Sequence, residues 1–507
     1  MVETLLENLN NWLHGTLIFL AAMLIIGLLV LSGYVVVSYF IDITQTRHAI
    51  RRNYPVIGRF RYFFEHVGEF FRQYFFAMDR EELPFNRAQR SWVYRAAKGV
   101  DSTVPFGSTR DIRKPGSVLF VNSPYPTLGE DSVPAQPITF GQDCPHPYTT
   151  NSFFNISGMS YGALSAAAVT ALSHGANDAG IWINTGEGGL SQFHLSGHCD
   201  IVFQIGTAKN GVRDLDGKLN DEKLSEIAAH PEVKMFEIKL SQGAKPGKGG
   251  ILPAEKVTEE IAGIRGIEAG KAAISPNRHY DVKCDDDLLN LIKRVRDVTG
   301  KPTGFKAVIG SALWIDQLCQ LILQKGLEYA PDFITIDGAE GGTGAAPMAL
   351  MDDMGLPLRE SLPLVIDMLK EYGLFGRVRV LASGKLVTPT DVAWALCLGV
   401  DGINSARGFM FALGCIQAMQ CNKNTCPTGI TTHNLKLQRG LEPMEKSKRV
   451  ASYARHMVYE VGLIAHACGV KQPRELGREH ARMMGENGIS TPLYELHPDV
   501  KLKNSKT

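Results

Sequence analysis

The chain has 507 residues, 44% of them hydrophobic and 21% charged, with 51 glycines and a net charge of +1. That balance excludes a disordered chain, and near-neutrality gives no footing for nucleic acid. Of nine cysteines, Cys144, Cys199, Cys284, Cys319, Cys397 and Cys468 are scattered singly, which suits a reducing compartment better than a disulfide scaffold.

The first element is an uncharged run over residues 16–41. At about 1.5 Å per residue it is long enough to cross a hydrocarbon core of roughly 30 Å. No Lys or Arg precedes Arg47, so the basic start of a cleaved leader is missing. Glu3 and Glu7 lie before the run, and Arg47, Arg51, Arg52, Arg59 and Arg61 after it. The charge asymmetry predicts a single-pass anchor with the remaining bulk on the cytoplasmic side. Next, Phe60, Phe63, Phe64, Val67, Phe71, Tyr74 and Met78 recur at three- and four-residue steps. They predict an amphipathic helix with an aromatic face, which either lies in the membrane interface or packs on protein. Residues 99–150 carry Pro105, Pro115, Pro124, Pro126, Pro134, Pro137, Pro145 and Pro147, and read as loops and short strands.

From Phe153 short apolar runs alternate with helical segments. The runs are 153–157, 181–184, 201–205, 235–239, 304–308, 333–336, 378–381 and 402–404. Eight such units predict a closed parallel (β/α)8 barrel, with helices such as 311–325 and 358–371 outside it. An open doubly wound sheet would want G-x-G-x-x-G after its first strand, and none stands there. Residues 440–507 read as a helical cap, in SYARHMVYEVGLIAHA and then ELGREHARMMG.

In a barrel the chemistry sits at the carboxy-terminal ends of the strands. Unusual loops follow there: SGMSYGALS (157–165), NTGEGG (184–189), KLSQGAKPGKGG (239–250), DGAEGGTGAAP (337–347), ASGKLVTPTD (382–391) and NSARGFMFALGC (404–415). Ser383, Gly384, Lys385 and the turn from Ser405 through Ala406 and Arg407 to Gly408 are candidates to cradle a phosphate. Lys306, inside the fifth strand, needs an anionic partner, either a reduced flavin or a barrel carboxylate. Lys239, Gln242, Lys245 and Lys248, with Arg265 on the following helix, suit an anionic substrate such as a dicarboxylate; otherwise they form a solvated loop. Glu187, between glycines, is a proton carrier or an ammonium-binding group, or only a turn residue.

Cys415, Cys421 and Cys426 form C-x5-C-x4-C with Pro427 straight after. Three thiolates can hold three corners of an iron–sulfur cluster, of three or of four irons. Zinc wants four ligands in closer pairs, and a disulfide would leave one thiol over; an incidental grouping is the plainest alternative. A cluster beside phosphate-binding turns suggests a phosphorylated redox cofactor such as FMN.

The motifs GMSYGALS, NTGEGG, KLSQGAKPGKGG, EGGTGA and GCIQAMQCNKNTCPTG, in this order from Asn151 to Thr432, closely resemble the FMN-binding synthase domain of the glutamate synthases. The resemblance implies FMN in a (β/α)8 barrel beside a 3Fe-4S cluster, and reduction of the imine of 2-oxoglutarate and ammonia to glutamate. It makes Cys415, Cys421 and Cys426 the cluster ligands, sets Lys239, Gln242, Lys245 and Arg265 against the oxo acid, and puts Glu187 near flavin and ammonia. It assigns to the flavin Ser157, Met159, Ser160, Asn184, Thr185, Gln204, Lys306, Gly341, Gly342, Thr343, Gly344, Ser383, Gly384, Lys385, Ser405, Ala406 and Arg407. Departures accompany it. The family's amidotransferase domain, glycine-rich repeat domain and nicotinamide module have no counterpart here, Ile251 replaces a usual Gln, and AEGGTGAAP replaces HDGGTGASP.

The chain therefore reads as a membrane-tethered, stand-alone bacterial version in the inner (cell) membrane. It would need a separate electron partner (ferredoxin, reductase or quinone) and a separate ammonia source. The competing reading is a membrane-linked electron-transfer or amine-metabolising flavoprotein. The expected partition is anchor 1–45, helical linker 46–98, lead-in 99–150, synthase domain 151–435 and cap 436–507.

Overall fold

The computed structural model of the chain describes residues 1–503. It divides into two units, Met1–Ala88 and the part beginning at Gln89.

In the first unit, α1 (Val2–Thr44) contains the whole apolar run. Among the described residues it is the one helix long and apolar enough to cross a membrane, and its large apolar side chains are exposed. The turn into α2 (Gly58–Phe71) is pinned by the buried Asp42. Its carboxylate accepts from Arg59 Nε at 2.8 Å, Arg59 Nη2 at 2.9 Å and Val56 N at 3.0 Å. Phe60, Phe63, Phe64 and Phe71 on α2, with Tyr74 and Met78 beyond it, are exposed within this unit. The helix ends earlier than the periodicity suggests, because one wide turn, Arg72–Phe76, closes it.

The helix α3 (Arg87–Ala97), most of it in the second unit, leads into the proline-rich segment, which forms short strands at Val118–Phe120, Ile138–Phe140 and Tyr148–Thr150. The last two pair as a hairpin. Its Phe140 and Tyr148 pack with Trp182, Val202, Met235, Phe333 and Leu381, residues toward the amino-terminal ends of barrel strands. The hairpin closes the lower mouth.

The barrel strands are β1 (Phe154–Ile156), β2 (Ile183–Asn184), β3 (Ile201–Ile205), β4 (Val233–Lys239), β5 (Thr303–Ala307), β6 (Phe333–Asp337), β7 (Arg379–Ser383) and β8 (Gly402–Ser405). They close in consecutive order, all parallel, with β8 pairing β1. Strands covered on both faces read as continuous apolar runs, which is why the sequence rhythm is legible. The outer layer holds α4 (Ala166–Ala179), α5 (Asp221–Ala228), α6 (Glu259–Arg265), α7 (Asp285–Thr299), α8 (Ala312–Lys325), α9 (Leu358–Glu371), α10 (Pro389–Leu398) and α11 (Arg407–Leu413). After β2 there is only a four-residue turn, Gln192–Leu195.

The long cap helix α12 (Pro443–Ala467) packs along α4, so closely that a Cβ on Gly175 would lie 2.5 Å from Val450 Cβ. The segment ELGREHARMMG is not helical as its composition suggests. It makes a short turn, Arg478–His480, and a strand, Ala481–Met484, between Val118–Phe120 and Ser490–Pro492. Gly477 weakens a helix there, and the free edge of Val118–Phe120 offers a ladder instead.

Candidate active site

The upper mouth is built from side chains at the ends of strands. Lys239, closing β4, and Lys306, on β5, are neighbours in register. Each has its own carboxylate: Lys239 Nζ lies 3.1 Å from Glu187 Oε2, and Lys306 Nζ 3.2 Å from Asp337 Oδ2. Burial works against the Lys306 charge, but Asp337 and then Glu237 outweigh it and hold the ammonium above its ordinary range. A barrel carboxylate is thus the partner the structure supplies to Lys306. Deeper in the barrel, Glu237 accepts from Asn184 Nδ2 (2.8 Å), Gln204 Nε2 (2.7 Å) and Thr335 Oγ1 (2.6 Å).

Glu187 stands on the turn Gly186–Gly188 after β2. Burial alone would favour its neutral form, yet Lys239, Lys245 and Arg265 together hold its carboxyl below the ordinary range. Lys245 is buried, and that burial, with Lys239 adding to it, pushes its ammonium down to about 8. Arg265, also buried, donates from Nη2 to Tyr161 O at 3.1 Å, while its Nε has no partner.

Three cations against one carboxylate leave an excess of positive charge where isolated charge is costly. An anion satisfies such a site. Glycines at the strand ends and in the loops make the room. A Cβ on Gly250 would lie 2.2 Å from Glu187 Oε1, one on Gly206 2.5 Å from Glu187 Cβ, and one on Gly162 2.9 Å from Arg265 Nη2. Gln242 accepts from Lys239 Nζ (2.5 Å) and donates to Gly342 O (3.0 Å), which ties the loop after β4 to the loop after β6. Lys248 is exposed and does not join the group.

The residues expected at a flavin ring the same mouth. Met159 N donates to Asn184 O (3.0 Å) and Ser157 N to Ser405 O (3.1 Å), while a Cβ on Gly186 would lie 2.8 Å from Ser160 N. Thr185 Oγ1 accepts from Gln204 N at 3.0 Å. Ser383 and Ser405 end β7 and β8. Just beyond, Gly384 (φ +133°) and Lys385 (φ +52°) hold backbone conformations that glycine tolerates and lysine rarely adopts. Burial depresses Lys385, with the Arg407 charge adding to it, and pushes Arg407 down to about 10. Arg407 Nη2 donates to Glu340 O at 2.7 Å, and a Cβ on Gly342 would lie 2.8 Å from Arg407 Nε. Two half-buried cations at adjacent turns are a donor set that fits a phosphate. Around Gly341, Gly342, Thr343 and Gly344 the fit is less specific, since the Thr343 hydroxyl donates only within its loop, to Ala345 O.

The cysteine loop starts ten residues past the end of β8, just after α11. Its backbone is strained: Gln417 (φ +57°), Met419 (φ +50°) and Asn424 (φ +57°) are three non-glycine residues in the left-handed region. Such strain persists only where surroundings enforce it. Tyr94, on α3, donates to Cys415 O at 2.6 Å, and the Lys256 ammonium donates to Cys421 O at 2.7 Å. Burial pushes the Cys415 thiol up to about 12, with Cys421 and Cys426 adding to it, so the three thiols feel one another. The Thr431 hydroxyl is buried and satisfies no geometric hydrogen bond, yet it faces Cys421 and Cys426 closely enough to ease ionisation of both. Among the described residues no group of three or more His, Cys, Asp or Glu is gathered to hold a single metal ion. Three thiols within electrostatic reach of one another, beside an unpartnered hydroxyl, are donors of the kind an iron–sulfur cluster takes.

Four residues here escape a reading of the sequence. Glu237 carried the same signal as Lys306, a charge inside a buried strand, and Asp337 ends such a strand. Lys256 and Tyr94 look like ordinary surface-helix residues, and nothing in their neighbourhoods marks them.

Residues 131–471 match the family described as the conserved region in glutamate synthase. A glutamate synthase large subunit-like protein of Bacillus subtilis, YerD, is 40% identical over 489 residues, 89% of this chain and 92% of that protein. An archaeal glutamate synthase [NADPH] of Methanocaldococcus jannaschii is 34% identical over 334 residues, 65% of this chain but 61% of that protein. The chain thus spans nearly all of the Bacillus relative and about three-fifths of the archaeal one. Among solved structures, a chimera of (S)-mandelate dehydrogenase is 12% identical at a TM-score of 0.47, covering 77% of this chain and 98% of that one, too slight a likeness to argue from. With a family match across the whole barrel and a relative aligned almost end to end, the chain belongs to the glutamate synthase family of oxidoreductases.

Proposed function

We propose that the protein makes an amino acid from an anionic 2-oxo acid and ammonia, acting on a CH–NH2 bond, with 2-oxoglutarate the nearest substrate type. The observation that carries this is the single carboxylate Glu187 set among the cations Lys239, Lys245 and Arg265 at the barrel mouth. Condensation of ammonia with the oxo acid releases water, and reducing the imine then takes two electrons and two protons. FMN would supply hydride, and an iron–sulfur cluster single-electron transfer. FMN would be held by the turns at Ser383–Lys385 and Ser405–Arg407, and the cluster by Cys415, Cys421 and Cys426. The chain's own part is to orient and to move charge. Arg265 and Lys245 bind carboxylate, Gln242 fixes Lys239, and the ionised Glu187 accepts a proton from the attacking nitrogen and can hand it on.

A second reading rests on α1. A single apolar helix of 43 residues favours a membrane tether and hence electron exchange with a quinone. One assay separates the two: the full chain in detergent is reduced anaerobically, then offered 2-oxoglutarate with ammonia, or a soluble quinone. Rapid reoxidation by oxo acid and ammonia supports amino-acid synthesis. Rapid reoxidation by quinone alone would favour the electron-transfer reading. A purified chain without a flavin absorption band would sink both.

Two further results are expected. Cys421→Ser should lose most of its iron and sulfide while keeping flavin, and full iron content would remove that cysteine from the cluster. Because Lys245 sits at about 8, affinity for the oxo acid should weaken as pH rises through that value and its charge is lost. Lys245→Arg should move that limb to higher pH; calorimetric titration of the oxo acid from pH 7 to 9.5 checks both.

A further inference from the structure

Lys256 lies on a short turn, Ala254–Lys256, between the substrate loop and α6, and is almost wholly buried, at 2% exposure. Its Nζ donates to Thr431 O at 2.6 Å, Cys421 O at 2.7 Å and Ala163 O at 3.3 Å. Three carbonyl acceptors need three N–H donors, so this geometry is that of the ammonium and not of the neutral amine. Among the described residues no carboxylate pairs with it, in contrast to Lys239 and Lys306, which each have one at the same mouth. A buried ammonium without a counter-ion is costly, and such a charge is retained where something negative answers it. Burial works against its charge, and the groups that favour it are Cys421 and Cys426, whose thiols would be negative as cluster-bound thiolates. Its three acceptors also belong to separate parts of the site. Ala163 is in the loop after β1, Cys421 is in the strained cysteine loop, and Thr431 is in the segment that closes it.

We propose that Lys256 is a positioning residue for the iron–sulfur site, a fixed positive charge that raises the reduction potential of the cluster and ties its loop to the loop beneath the flavin. The inference rests on the cluster assignment made above. Reduction adds one electron to the cluster, and an ammonium held beside two of its three thiolates favours the added negative charge. The same ammonium draws the strained loop against residues 161–165, where Ser165 N also donates to Ile430 O at 2.8 Å and the His433 ring bonds Gly162 O at 2.8 Å.

The test is an EPR-monitored redox titration of the full chain, wild type against Lys256→Gln and Lys256→Met, with iron and sulfide measured on each. Glutamine still offers two N–H donors to the carbonyls but carries no charge. The expected result is a loaded Lys256→Gln cluster whose reduction equilibrium is at least tenfold less favourable, about 59 mV lower for one electron. A loaded Lys256→Gln cluster at the wild-type potential overturns the proposal and leaves the lysine a mere strut. If both neutral variants lose their iron, Lys256→Arg decides. Iron retained there at the wild-type potential supports a need for charge, and iron lost there too overturns it. Wild-type protein lacking iron and sulfide altogether would overturn the cluster assignment itself, a result distinct from an unshifted potential.

Discussion

Glu187→Gln is expected to slow turnover by roughly 100- to 10,000-fold, the range that a positioned proton carrier contributes, while tightening the hold on the oxo acid. The two effects have one cause. Glu187 is the carboxylate that Lys239, Lys245 and Arg265 face in the structure, and proton transfer is the role proposed for it. Glutamine keeps its shape and an acceptor for Lys239 Nζ. It cannot take or give a proton, and it leaves three cations with no internal anion to compete against the substrate. A lower KM with a collapsed kcat is therefore the signature to look for. Loss of a merely structural residue would weaken both binding and turnover, and turnover within tenfold of wild type would take Glu187 out of the chemistry.

Glu237→Leu should destabilise the barrel by roughly 3–5 kcal/mol, the scale of breaking a buried, fully hydrogen-bonded charge. Three donors, Asn184 Nδ2, Gln204 Nε2 and Thr335 Oγ1, would lose their acceptor in the interior. Each orphaned group costs about 1–3 kcal/mol. Lys306 would also lose the second of the two carboxylates that hold its charge. Glu237→Gln should cost far less, about 1 kcal/mol. Its amide oxygen still receives Asn184 and Gln204, and the Thr335 hydroxyl can turn to accept from the new NH2 group. Thermal unfolding of the detergent-solubilised full chain compares the three proteins. Equal midpoints for wild type and the leucine variant would show that the network holds nothing together.

Much of the barrel could be read in advance because its strands are short, apolar and buried on both faces, each ending in a loop rich in glycine. Lys239, Glu187, Lys245 and Arg265 were recoverable because charged residues among glycines have no packing role to disguise them. Glu237 and Asp337 were harder, since each needed its partners located before its burial made sense. Lys256 was not recoverable from sequence at all. Its significance lies in three carbonyls from residues 93, 165 and 175 positions away, and carbonyl oxygens leave no trace in residue identity. The cap strand Ala481–Met484 was misread for a related reason: its partner, Val118–Phe120, lies more than 350 residues earlier, and local composition does not register a distant free edge.

Glu187 is backed by main chain, with Gly206 and Gly250 against its side chain and Gly162 and Gly188 against the neighbouring guanidinium. That wall has no side chains to vary. Drift or design has more room at Ile251, which follows Gly250 directly and is 36% exposed. The site is conservative on one side and adaptable on the other, so descendants of this barrel would be expected to trade one acid for another while the carboxylate and its cations stay where they are.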